Sequence, residues 1–143
     1  MKKVFASLFV LSFLLIGCSE SEDPEDIAKI TYEWEKAKFD RDYELQQEFI
    51  YEEGSYEAYK GDEKINSNLE YKDIRFEIYH DEKVESYYVF ADFDNPNGEN
   101  TVEDNVVLRQ KNDEWKVDTS KSLDVNREEV KQKFDQTSCI HCE

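Results

Sequence analysis

The chain has 143 residues, with 35 acidic side chains set against 18 Lys and Arg for a net charge of −17, and 38% of its residues are hydrophobic. A field that acidic excludes nucleic acid and anionic lipid headgroups as partners and favours cationic ligands, metal ions or simple solubility. Nine Phe, nine Tyr and two Trp carry enough apolar area for one compact core, which excludes disorder throughout the chain.

Lys2 and Lys3 open the chain, and no charge interrupts residues 4–16. A positive start followed by a short apolar run is the pattern of a signal peptide, since a membrane-crossing helix needs about 20 apolar residues. No transmembrane helix is predicted. The run ends in Leu15, Ile16, Gly17 and Cys18. These four positions resemble the bacterial lipobox, and the resemblance implies a leader over residues 1–17, cleavage before Cys18 and lipidation of that cysteine. Two acyl chains at about 0.8 kcal/mol per buried methylene would hold the protein stably at the extracytoplasmic face of a membrane. Cleavage would remove Lys2 and Lys3 and no acid, taking the net charge from −17 to −19. Residues 18–26, polar, acidic and containing Pro24, read as a tether, with the globular part expected over residues 27–120 and a C-terminal helix and CxxC tail over 121–143.

Ile27, Ile30, Trp34 and Ala37 recur at helical spacing and define one apolar face. Glu25 and Asp26 at the start and Lys36 and Lys38 at the end suit the helix dipole. Asp40 is expected to cap a second helical piece carrying Leu45 and Phe49 and stopped by Gly54; Ser55 is expected to cap a further turn closed by Gly61. Residues 62–69 are polar and read as loop.

From Tyr71 the period changes to two. Ile74, Phe76 and Ile78 alternate with Asp73, Arg75 and Glu77, the pattern of a strand with one buried face. After a polar turn at residues 80–83, residues 84–93 are apolar on both faces and predict a central strand. A connection with Pro96 and Gly98 leads to a third strand through Val102, Val106 and Leu108, and Lys111, Asn112 and Asp113 turn into a fourth with Trp115 and Val117. The reading is α+β: N-terminal helices packed on a curved antiparallel sheet.

The last hairpin reads Val107-Leu108-Arg109-Gln110-Lys111-Asn112-Asp113-Glu114-Trp115-Lys116-Val117-Asp118. With the opening helical stretch over residues 28–52, it resembles the NTF2-like (cystatin-like) superfamily, many of whose members are exported lipoproteins. The resemblance spans residues 26–118 and rests on topology more than on identity. It implies a cone whose concave sheet face holds a small ligand or docks a protein, a fold that also serves enzymes. Trp34, Tyr88, Phe90 and Trp115 are the candidate ligand-face or core aromatics.

No catalytic, cofactor-binding or metal-binding residue is assigned. Asp92 reads as a solvated carboxylate near a strand end, and His80 as an exposed turn imidazole. The run over residues 92–99 has the oxygen donors of a calcium loop in the wrong register, with Pro96 and Asn97 where a donor and the glycine belong, so a hairpin connection is expected. Residues 126–134 predict a helix with Val125, Val130 and Phe134 available to pack. The tail ends in Cys139-Ile140-His141-Cys142. In an oxidising exterior such a pair reads first as a disulfide; a redox-active dithiol, a metal site with His141 and intermolecular bridging stay open. The leading expectation is a membrane-anchored, non-catalytic module that binds a small molecule or protein. The alternatives are thiol-disulfide or metal handling through Cys139 and Cys142, and an enzyme with its site in the sheet cavity.

Overall fold

The structure is a computed structural model, and it describes residues 21–143. The expected leader, residues 1–17, and Cys18 lie outside the described residues. Two helices come first, α1 (Pro24–Phe39) and α2 (Tyr43–Phe49), followed by a short 3-10 turn, Tyr71–Asp73. Strands β1 (Arg75–Asp81), β2 (Ser86–Asp94), β3 (Thr101–Lys111) and β4 (Glu114–Val117) form a meander. Two short helices, α3 (Thr119–Asp124) and α4 (Arg127–Lys133), then lead to β5 (Gln136–Ile140). All pairings in the five-stranded sheet are antiparallel, in the order β4-β3-β2-β1-β5. The coarse α+β expectation holds.

α1 begins at Pro24, with Glu25 and Asp26 in its first turn, so it takes in residues 24–26 of the anticipated tether. Asp23 caps it by accepting the Glu25 N–H at 2.9 Å, and Pro24, with no N–H to leave unpaired, fits the first turn. Asp40 does not cap α2. It closes α1, and its carboxylate turns inward to accept the Ser67 N–H at 2.8 Å and hydroxyl at 2.6 Å. Asp42 takes the capping role instead, accepting the Leu45 N–H at 3.3 Å, because Arg41 at φ 56° turns the chain first. The expected helical turn after Ser55 is a series of plain turns, in which Tyr59 and Gly61 take φ of 64° and 84°.

Alternation places Phe76, Ile78, Tyr87, Val89, Ala91, Val106 and Leu108 on one face, where they are buried under Ile27, Ala28 and Trp34 of α1. Burying each such side chain contributes about 1.5 to 3 kcal/mol, so this face carries most of the driving force. The opposite face holds Tyr79, Tyr88 and Phe90, and Val125, Val130 and Phe134 cover it. β2 is therefore buried on both sides, as its unbroken apolar run anticipates.

In the segment 121–143 the helix expected over residues 126–134 is α4, and the tail that follows it joins the sheet. Its last part pairs with β1, setting Ile140 opposite Phe76 and Cys139 opposite Glu77, and so occupies the sheet edge. The five residues Gln136–Ile140 are mostly polar and bury little, as an edge strand permits; only Ile140 reaches the core.

Candidate functional site

The helix-side core opens at one end into a cavity of about 200 Å³, bounded by α1, the loop after α2, β3 and α3. Trp34 and Tyr56 form an aromatic wall, their rings edge-on with centroids 5.0 Å apart. Lys38 and Asp104 supply charge, and Ser55, Asn105, Val117, Thr119, Ser122 and Leu123 complete the lining. A second recess of about 150 Å³, lined by Phe39, Tyr59 and Val102, shares Lys38, Tyr56 and Asp104 with the first.

Helical geometry explains one side of this site. Trp34 and Lys38, four residues apart, share a face of α1, while Glu35 lies three residues before Lys38. On β3, Asp104 stands in the inward-facing series Val102, Asp104, Val106, Leu108, where the other members are apolar. Lys38 joins the two elements: its ammonium lies 2.9 Å from Glu35 Oε2 and is hydrogen-bonded to Asp104 Oδ2. It also sits 5.6 Å from the centre of the Trp34 ring.

The three groups titrate as a unit. Glu35 is completely buried, and its oxygens make no well-formed hydrogen bond. Burial pushes its carboxyl up to about 8; Lys38 opposes the shift and the Asp104 charge adds to it. Burial works against the Lys38 cation too, but Glu35 and Asp104 outweigh it and raise the ammonium above its ordinary range. Asp104 also feels burial, yet Lys38 holds it below the usual carboxylate value. Near neutral pH the cluster is a protonated Glu35, a charged Lys38 and an ionised Asp104. Burial raises the Tyr56 phenol, keeping it a neutral hydrogen-bonding group beside those charges.

The four candidate aromatics do not come together. Trp34 lines the cavity. Trp115 packs on the helix-side core against Tyr87, with centroids 4.9 Å apart. Phe90 is fully buried on the other face, beneath the Arg127 guanidinium 4.9 Å from its ring centre, and Tyr88 is stacked on Phe134. The sheet face that Tyr88 and Phe90 occupy is covered by Val125, Val130 and Phe134.

His80 is not an exposed turn residue. It belongs to β1, its ring is stacked on Tyr87 at 4.2 Å, and Nε2 is buried. Asp92 is not a freely solvated edge carboxylate. Arg127 holds it at 2.7 Å and Arg75 at 3.4 Å, pinning α4 to the sheet. Residues 95–100 form the hairpin connection, closed by the Asn95 N–H donating to the Asn100 carbonyl at 2.9 Å. Among the described residues no group of three or more His, Cys, Asp or Glu is arranged to hold a metal ion, and no helix is long and apolar enough to cross a membrane.

Cys139 and Cys142 lie at disulfide distance, with Cα atoms 5.7 Å apart. His141 turns away between them, at φ 55°, and its Nδ1 lies 2.8 Å from the Ile74 carbonyl oxygen. One imidazole nitrogen is thereby engaged with the backbone.

Glu35, Lys38, Tyr56 and Asp104 escape a reading by periodicity. Glu35 and Lys38 look like ordinary polar residues of an amphipathic helix. The available signal is Asp104, a carboxylate at a core position of an alternating strand. Comparison with protein-family models, curated proteins and solved structures finds no match to this chain.

Proposed function

We propose that this chain is a bacterial lipoprotein with an NTF2-like domain, held at the extracytoplasmic face of a membrane by acyl chains on Cys18. Its role is to bind a small molecule without catalysis. The cavity walled by Trp34 and Tyr56 and floored by Lys38 and Asp104 carries this reading, because a concave aromatic site with a few convergent polar groups suits ligand capture. The helix-then-meander order supports the NTF2-like assignment, and the lipobox-like residues Leu15 to Cys18 support the anchor.

A ligand-observed NMR screen of small polar aromatics and aliphatics against the full chain tests the binding role. Saturable hits are expected that disappear in Tyr56→Ala and Asp104→Asn while circular dichroism stays unchanged. Hits indifferent to both substitutions, or no hits, would remove the assignment. Incorporation of labelled fatty acid in the parent, lost in Cys18→Ala, is the expected sign of the anchor; an unacylated parent chain with its leader intact would refute it.

A further inference from the structure

The charges beneath the cavity balance only while one carboxyl keeps its proton. Two carboxyls, Glu35 and Asp104, share one ammonium, that of Lys38. Glu35 is wholly enclosed, whereas the Asp104 side chain is 34% exposed and lines both the cavity and its side recess. An uncompensated buried carboxylate is costly, and a carboxyl in that position keeps its proton instead. A second cation would remove the need. The walls suit one: the Trp34 ring already accepts the Lys38 ammonium over its face, and Tyr56 stands beside it.

We propose that the cavity binds a small organic ammonium, its hydrocarbon part against Trp34 and Tyr56 and its N–H groups donating to Asp104, so that two carboxylates face two ammonium groups. This assignment rests on the small-molecule reading above and names the ligand class. When the ligand satisfies Asp104, Lys38 is freed to lean on Glu35, and the Glu35 carboxyl releases its proton to the buffer. No covalent bond is made in the ligand; the bound amine stays protonated and one proton leaves the protein. The groups facing Glu35 are Lys38 on its own helix and Asp104 on β3, with the Tyr56 phenol nearby on the loop. The acidity of the whole chain draws cations toward the site and repels anions.

Benzylamine, benzyl alcohol and benzoate share a shape and differ in charge. Calorimetry on the full chain at neutral pH, in two buffers of different ionisation heat, is expected to show benzylamine binding at least about tenfold tighter than benzyl alcohol, a gap of about 1.4 kcal/mol. Benzoate should not bind, and the amine should release protons. Glu35→Gln keeps the shape of the side chain without its charge, so it should fold, bind amine with most of the preference gone and release no proton. Benzyl alcohol binding as tightly as benzylamine, or amine binding with no proton release, overturns the ammonium assignment and leaves the small-molecule reading standing. Absence of saturable binding by all three overturns both.

Discussion

Lys38 of α1 and Asp104 of β3, 66 positions apart in sequence, are hydrogen-bonded across the junction of helix and sheet, with the Glu35 carboxyl 2.9 Å from the same ammonium. The contact fastens the end of α1 to the middle of β3. It also pairs the Asp104 carboxylate, while the enclosed Glu35 carboxyl keeps its proton.

Removing the cation tests that dependence. Lys38→Met keeps much of the aliphatic stem and leaves Glu35 and Asp104 facing each other without a counter-ion. Breaking a fully buried pair costs about 3 to 5 kcal/mol, and Asp104 is a third exposed, so urea denaturation at neutral pH should show a loss below that range. Glu35 is already protonated at neutral pH and Asp104 takes up its proton in acid, so the deficit should shrink as pH falls toward 4. A deficit independent of pH would mean that lost packing, rather than unpaired charge, is responsible.

The Glu35 carboxyl gives the pH dependence a definite sign. Its ordinary value is 4.5 and burial pushes it up to about 8, so between these values the folded chain holds a proton that the unfolded chain has lost. The stabilisation from this proton is fully present below about 4.5 and is lost as pH rises through about 8. Stability of the parent relative to Glu35→Gln should decline across that window, with a limiting slope of about 1.4 kcal/mol per pH unit. Asp104 is shifted the other way and loses its contribution in acid, below the same window, which is why the comparison with Glu35→Gln is needed. Chemical denaturation of both proteins at a series of pH values reads the slope directly, and parallel curves would show that Glu35 is ionised in the folded chain.

The local part of this architecture is written in short-range pattern. Ile27, Ile30, Trp34 and Ala37 announce α1, and Ile74, Phe76 and Ile78 announce β1, because each set repeats at the period of its own element. β5 carries no such pattern: Gln136, Thr137 and Ser138 are polar, and the strand exists because β1 presents an unpaired edge that a returning chain can satisfy. The cap at Asp42 rather than Asp40 turns on Ser67, a partner 27 residues away that periodicity does not reveal. The cavity is harder still to read. Glu35 next to Trp34 has the look of a solvated helix face, and its burial follows from the loop around Tyr56 and from β3 closing over it. Asp104 among Val102, Val106 and Leu108 is the one position whose local pattern marks it as unusual.

Arg127 holds the second face of the sheet shut. Its guanidinium donates to Asp92 Oδ1 at 2.7 Å, to Asn105 Oδ1 at 2.7 Å and to the Asp104 carbonyl at 2.9 Å, while lying over Phe90. Charge-assisted hydrogen bonds contribute about 1.5 to 3 kcal/mol each and do not add, so Arg127→Ala should cost about 3 kcal/mol in denaturant melts. Arg127→Lys retains the charge but not the planar fork, and should recover less than half of the loss. Full recovery by lysine would show that charge alone, and not the three-way geometry, fastens α4.

Cys139 and Cys142 close a loop of a few residues at the end of β5. If they are bonded, the native chain should resist alkylation until a reductant is added. Closing so short a loop constrains the unfolded chain modestly, by roughly 2 kcal/mol in the chain-entropy account, so Cys142→Ser should lower stability by that amount or less. The effect should be local. Ile140 pairs with Phe76, and His141 reaches the Ile74 carbonyl, so amide hydrogen exchange should quicken along β5 and at the β1 edge it covers. The cavity lies between α1 and β3, with β2 and β1 between β3 and β5 in the sheet order, and amine affinity should be unchanged. A Cys142→Ser protein that loses amine binding while β5 keeps its protection would instead place the sulfurs in communication with the cavity through α1, which packs against β5 and lines the cavity.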